Sequence, residues 1–212
     1  MRTRIKICGL TREADIAAAV EAGADAIGFV FYPNSKRYLT VERAAQLRRE
    51  IPAFVSLVAL FVNATADEIK AVQAAVQPDL LQFHGDETVE ACRAYGQRYL
   101  KAFRIGAPGF DTPAGVLTGC LPYADAAAWL FDSYTPQYGG SGASFDLRLL
   151  SEVTAERSAR PIILSGGLKA HTVADAVTNI RPWAVDVSSG VELSPGIKSP
   201  AAMTEFVRAV PH

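Results

Sequence analysis

The chain has 212 residues, 50% hydrophobic and 20% charged, with a net charge of −1 and its acidic and basic residues dispersed. That composition provides for a sizeable core and argues against nucleic acid or a membrane surface as the main partner. Cys8, Cys92 and Cys120 are odd in number and scattered, which fits a reducing compartment better than a disulfide framework.

In chain order, "RIKIC" (4–8) alternates like a strand and ends on Cys8 and Gly9. Arg12 and Glu13 interrupt any signal-peptide run, and "TREADIAAAVEAGA" (11–24) has helical spacing, with Thr11 as N-cap and Gly23 as its end. The strand "AIGFVF" (26–31) leads into the loop "FYPNSKRYL" (31–39) and a helix over 40–51. "FVSLVALFV" (54–62) reads as a strand; with Ala53 it forms the most apolar stretch, about half of the ~20 residues a membrane span needs. A helix over 65–76, the strand "DLLQF" (79–83), a helix over 87–96 and the strand "YLKAF" (99–103) follow. Residues 105–126 scatter Pro and Gly, so the helix expected there is short or missing. The strands "AAWLF" (127–131), "PIIL" (161–164) and "WAVDV" (183–187), with helices over 170–180 and 199–210, complete the series.

Eight strands alternating with helices imply parallel pairing through right-handed crossovers. The expected fold is α/β, one (β/α)8 TIM barrel domain over 1–212. An open doubly wound sheet is the alternative, but a dinucleotide-binding version wants G-x-G-x-x-G after its first strand, and "CGLTRE" is not that.

Side chains alternate faces along a strand. With Ile5, Ile7, Leu81, Phe83, Trp129, Phe131, Val185 and Val187 facing the helices, the lumen receives Lys6, Cys8, Gln82, His84, Asp132 and Asp186, and on the fifth strand Lys101. Buried charges must be paired or functional, so a Lys6–Asp186 pair is expected where strand eight meets strand one. Cys8, His84 and Asp132 stand at carboxyl ends of strands, where barrel active sites are built. Lys36 and Arg37 suit an anionic group, since arginine grips a carboxylate with two bonds. "FDSYTPQYGGSG" (131–142) joins an acid to a Gly-rich loop carrying Gly140 and Gly142. "LSGGL" (164–168) and "DVSSGVE" (186–192) offer backbone N–H groups of Gly166, Gly167, Ser189 and Gly190 at the usual phosphate site of the fold.

Each feature has a plain structural counterpart. Cys8 taken alone reads as a packing thiol, Asp132 as a turn or cap acid, His84 as a turn residue, Lys36 and Arg37 as a solvated loop, and the glycines as tight turns. Taken together these readings are weak, because the candidates fall on one rim. No metal site is expected, since His171 and His212 lie elsewhere and leave one rim histidine.

The stretches "KICGLT", "GADAIGFVFYPNSKRY", "LLQFHGDE", "YGGSGASFD", "LSGGL" and "DVSSGVE" run in order along nearly the whole chain, most weakly over 105–128. In them the sequence resembles the phosphoribosylanthranilate isomerases of tryptophan biosynthesis. It departs at Leu147, where that family commonly has Trp, a change expected to affect only packing. The scattered cysteines, the interrupted N-terminus and the short apolar stretch read as a soluble, cytoplasmic protein, expected to be a monomer or homodimer, and the resemblance implies a cofactor-free enzyme acting on a small molecule, phosphoribosylanthranilate. Its reaction is an Amadori rearrangement to an aminodeoxyribulose phosphate. The resemblance also implies Cys8 as general base and Asp132 as general acid. Arg37 would hold the anthranilate carboxylate, and the backbone around Gly166, Gly167, Ser189 and Gly190 the phosphate. His84, Asp186, Gly140 and Gly142 complete the expected substrate contacts, by contact or by orienting other groups.

Such roles need Cys8 ionised and Asp132 protonated, so the thiol must be shifted down from about 8.5 or paired, for instance with Lys6. Rival barrel enzymes fit less well. A sugar isomerase of histidine biosynthesis would want a carboxylate in place of Cys8, an indole-forming lyase would need different loops, and a metal-dependent epimerase would need a second rim histidine. A catalytically silent metabolite-binding barrel is the alternative from another class.

Overall fold

A computed structural model describes residues 2–135 and 144–211. Eight parallel strands pair in chain order: β1 (Arg4–Cys8), β2 (Ala26–Val30), β3 (Ser56–Phe61), β4 (Leu80–Phe83), β5 (Tyr99–Ile105), β6 (Ala128–Ser133), β7 (Ile162–Leu164) and β8 (Ala184–Val187). β8 then pairs with β1 and closes the barrel.

The helices are α1 (Glu13–Ala22), α2 (Val41–Arg48), α3 (Ala66–Val76), α4 (Val89–Arg93), α5 (Pro113–Cys120), α6 (Ser151–Ala155), α7 (Ala170–Ile180) and α8 (Pro200–Ala209). Local chemistry sets several ends. Thr40, Thr65 and Thr88 accept the third helical N–H of α2, α3 and α4, and Gly23 ends α1 in the left-handed region at φ 101°. Thr11 does not cap α1; Arg12 occupies that position, and the Thr11 hydroxyl instead donates to Gly196 O at 2.7 Å.

Of two further expectations, a short or missing fifth helix and a helix over 87–96, the first is met as short and the second is adjusted. The fifth helix is present and short, eight residues opened by Pro113 and capped by Thr112. The expected helix over 87–96 contracts to the five residues of α4.

Alternation along the strands divides the core into two layers. Ile5, Ile7, Phe29, Phe61, Phe83, Trp129, Phe131 and Val185 face outward into the large core beneath the helices. Val58, Leu100, Ala102, Ala128, Leu130, Ile163 and Ala184 fill the lumen. Above them lie Lys6 and Asp186, register partners on β1 and β8, with Lys6 Nζ 2.8 Å from Asp186 Oδ1. The expected pair is therefore formed, buried inside the barrel.

Lys101 corrects the parity on strand five. It is in register with Phe83 and Trp129, both outward, and its inward neighbours are Leu100 and Ala102. Its ammonium lies outside the lumen, donating to Gly85 O at 2.7 Å and Glu87 Oε2 at 2.9 Å.

After β8 the chain makes a 3-10 turn (Ser189–Val191) and a small hairpin, β9 (Glu192–Ser194) with β10 (Ile197–Lys198), before α8. No helix among the described residues is long and apolar enough to cross a membrane.

Candidate active site

The carboxyl ends of the strands surround a cavity of about 350 Å³ whose lining includes Cys8, Arg37, His84, Asp132, Ser165, Asp186 and Ser188. Six side chains singled out from the sequence, Cys8, Lys36, Arg37, His84, Asp132 and Asp186, thus share one space.

Cys8 ends β1 opposite Gly28 of β2, its register partner. A Cβ on residue 28 would come within 2.6 Å of Cys8 Sγ, so glycine there supplies the volume for the thiol. Burial pushes the Cys8 thiol up from its ordinary value, against the pull of the Lys6 and Lys198 ammonium groups. Of the two expected conditions, a thiol shifted down or a thiol paired with Lys6, the unliganded protein has the second: Lys6 hydrogen-bonds Cys8, while desolvation outweighs the two nearby cations. Burial also opposes the charge on Lys6, but Asp186 and Cys8 prevail and its pKa is raised.

Arg37 follows β2 and lies against the β9–β10 hairpin. Its Nε donates to Glu192 Oε1 at 2.8 Å and its Nη2 to Glu192 Oε2 at 2.7 Å. Lys198, fully buried, donates to the same Oε1 at 2.8 Å and to Ser188 O at 3.0 Å. Burial works against the Glu192 carboxylate, yet Arg37 and Lys198 hold its pKa below the ordinary value. Arg37 is correspondingly raised by its bond to Glu192, while Lys198 is lowered by burial. Two cations on one carboxylate leave this cluster a net positive charge beside the cavity.

Across the cavity stands a hydrogen-bonded row. Gln82 Nε2 lies 3.0 Å from His84 Nδ1, and His84 Nε2 lies 3.1 Å from Asp132 Oδ2. Asp132 Oδ1 accepts from the backbone N–H of Ser133 at 2.8 Å. Both side chains named from the sequence here, His84 and Asp132, are thereby fixed in orientation.

Gly166 and Gly167 follow β7 at φ 82° and 65°, values that favour glycine. A Cβ on Gly166 would strike the Ser133 hydroxyl and backbone nitrogen, so this loop packs directly on the end of β6. Gly166 and Gly167 line a second cavity of about 250 Å³ that shares Ser165 with the first; Leu147 lines it as well. Ser189 and Gly190 form the turn after β8. Gly140 and Gly142 lie outside the described residues.

Sequence reasoning missed Glu192 and Lys198. Glu192 ends the quoted "DVSSGVE" run, yet nothing in that run marks it as the partner of Arg37. Lys198 carries no local signal at all.

Comparison with known proteins agrees with this geometry. The family described as N-(5'phosphoribosyl)anthranilate (PRA) isomerase matches residues 5–209. A curated relative from Bordetella parapertussis, an N-(5'-phosphoribosyl)anthranilate isomerase, is 63% identical over 210 residues, covering 99% of this chain and 96% of its own. The chain belongs to the phosphoribosylanthranilate isomerase family.

Among solved structures, the phosphoribosyl anthranilate isomerase of Thermotoga maritima is 40% identical with a TM-score of 0.87, covering 98% of both chains. A second, in complex with reduced 1-(o-carboxyphenylamino)-1-deoxyribulose 5-phosphate, is 37% identical with a TM-score of 0.84, again over 98% of both. Membership in this family makes the chain an isomerase of tryptophan biosynthesis built on a TIM barrel.

Proposed function

We propose that Cys8 and Asp132 divide the two proton transfers of the Amadori rearrangement of phosphoribosylanthranilate between them. The observation that carries this reading is their placement: a buried thiol and a carboxyl group line one cavity that also presents an arginine. Asp132 Oδ2–H protonates the furanose ring oxygen, the C1–O bond breaks, and the anilino lone pair forms an iminium ion. The Cys8 thiolate then removes the C2 proton, and the C–H electrons neutralise the iminium to give an enolamine, which tautomerises to the ketone.

The order of events accounts for a thiol whose pKa is raised. Burial keeps Cys8 protonated in the empty site; the thiol proton passes to solvent as substrate binds, and the iminium adds a positive charge to those of Lys6 and Lys198 at the moment the base is needed. Arg37 holds the anthranilate carboxylate. Glu192 occupies its Nε and Nη2, leaving Nη1 for substrate. The phosphate rests on backbone N–H groups around Gly166, Gly167, Ser189 and Gly190, in the loops after β7 and β8. The row from Gln82 through His84 orients Asp132, and Asp186 anchors Lys6 beneath Cys8.

The site takes a small molecule, and we place the protein in the cytoplasm as a monomer or homodimer. Its three cysteines are free and buried, and a dimeric Thermotoga maritima relative has been converted to monomers. Cys8→Ala and Asp132→Asn should each lower kcat by about 10²–10⁴-fold with KM little changed, assayed by loss of substrate fluorescence. Near-wild-type turnover in either variant sinks that assignment.

A further inference from the structure

The Gln82 side chain carries an anomaly. Gln82 is fully buried in the lumen, and its Oε1 is the buried side-chain atom among the described residues that has no hydrogen-bond partner. Its Nε2 instead meets His84 Nδ1 at 3.0 Å. In that orientation the amide donates, so Nδ1 must be bare, Nε2 carries the imidazole proton, and Asp132 Oδ2 can only accept.

Turning the amide by half a revolution exchanges Oε1 and Nε2 within the same volume and reverses every role. Oε1 then accepts from Nδ1–H, and Nε2 takes the place in which Oε1 has no partner. His84 Nε2 becomes an acceptor, and the atom opposite it, Asp132 Oδ2, must bring the proton. Should the proton pass from Asp132 to His84, the imidazolium still donates at both nitrogens, to Oε1 and to Oδ2. Asp132 Oδ1 is already engaged by the Ser133 N–H at 2.8 Å, so the acidic proton sits on the oxygen that meets His84.

We propose that Gln82 is a positioning residue for the acid step, its amide turned with Oε1 toward His84 so that one proton is kept on the His84–Asp132 pair and is available to the substrate. The inference rests on the reading of Asp132 as the general acid. The proton given to the ring oxygen leaves Asp132 as carboxylate, and the return of a proton from solvent or product restores the pair.

Other charged and titratable groups bear on the same pair. Cys8 from β1, Asp186 from β8, and Lys36 and Arg37 from the loop after β2 line the shared cavity. Arg104 of β5 stands in register with Asp132 and bonds Asp86 at 2.9 Å. None of these touches Nδ1 of His84 in the structure, whereas Gln82 does, which is why substitution of Gln82 isolates the effect.

The test compares Gln82→Leu, which can neither donate nor accept, with Gln82→Glu, whose carboxylate accepts as Oε1 would. Turnover is measured against pH with phosphoribosylanthranilate generated in situ. Gln82→Leu should lower kcat about tenfold or more, part of the 10²–10⁴ that a positioned acid supplies, with KM within about twofold. Its alkaline limb of kcat should move to lower pH. Gln82→Glu should recover most of the lost turnover and move that limb to higher pH.

A glutamate variant as impaired as the leucine one, or alkaline limbs that do not move, overturns the proposal. Should the variants not fold, ¹⁵N spectra of histidine-labelled wild-type protein decide it. A proton on His84 Nδ1 within the active pH range supports the inference, and an Nδ1 bare throughout that range overturns it. If Asp132→Asn keeps its turnover, the acid assignment itself falls. If Asp132→Asn is inactive while the Gln82 variants behave as wild type, only the role of Gln82 falls.

Discussion

The two sides of the barrel mouth hold their reactive groups by different means. Around Cys8, on β1, β8, the loop after β2 and the β9–β10 hairpin, charges are buried together: Lys6 with Asp186, and Arg37 and Lys198 with Glu192. Around Asp132, on β4 and β6, the support is a row of hydrogen bonds from Gln82 through His84. With Cys8 as the proposed base, which must be ionised to act, the surrounding fixed cations would favour the thiolate once substrate arrives. With Asp132 as the proposed acid, which must be protonated to act, a partner able to accept or return one proton would serve better than a fixed charge.

The difference can be broken from the charged side first. Lys6→Met should destabilise the protein by about 3–5 kcal/mol, because it leaves Asp186 ionised and unpaired inside the barrel. Urea unfolding of the variant measures this, and the double variant Lys6→Met/Asp186→Leu should recover most of the loss. Next in size is Arg37→Ala, which should raise KM about 10–100-fold, as expected for loss of a charge-assisted hydrogen bond of about 1.5–3 kcal/mol. Its kcat should change little; unaltered affinity counts against the clamp.

The smallest effect sharpens the contrast without removing a partner from it. Alkylation of Cys8 by iodoacetamide should be slow at neutral pH and climb as pH rises beyond the ordinary thiol range near 8.5, since burial raises the folded thiol. The same shift lowers stability as pH rises, because the unfolded chain ionises its thiol first. Cys92 and Cys120, pushed upward by burial beneath the helices, should remain unmodified in the folded protein.

Strand alternation was sufficient to read the barrel and most of the mouth. On β1, β4, β6 and β8, outward Ile, Leu, Phe, Trp and Val contrast with inward polar residues, so Lys6, Cys8, His84, Asp132 and Asp186 could be assigned to the lumen. That contrast fails on β5, "YLKAFRI", where large apolar or aromatic residues occupy both faces. A lone lysine there reads as inward, although its partner Glu87 waits outside the sheet. The partners of Arg37 were hidden for another reason. Glu192 and Lys198 meet through a two-stranded turn and reach a loop more than 150 residues earlier, a relation with no periodicity to betray it. The second of them looks, in sequence, like any surface lysine.

The β9–β10 hairpin gives the enzyme a timetable as well as a shape. It supplies the carboxylate that aligns Arg37, accepts the Thr11 hydroxyl at Gly196, and donates from Lys198 N–H to Asp15 at 3.2 Å. Every one of these bonds joins the last fifth of the polypeptide to its first. Strands one to seven and their loops already carry Cys8, Arg37, His84 and Asp132, but the carboxylate that aligns Arg37 and the strand that closes the ring come last in the chain. The hairpin thus ties the site to the end of the polypeptide as well as to its beginning.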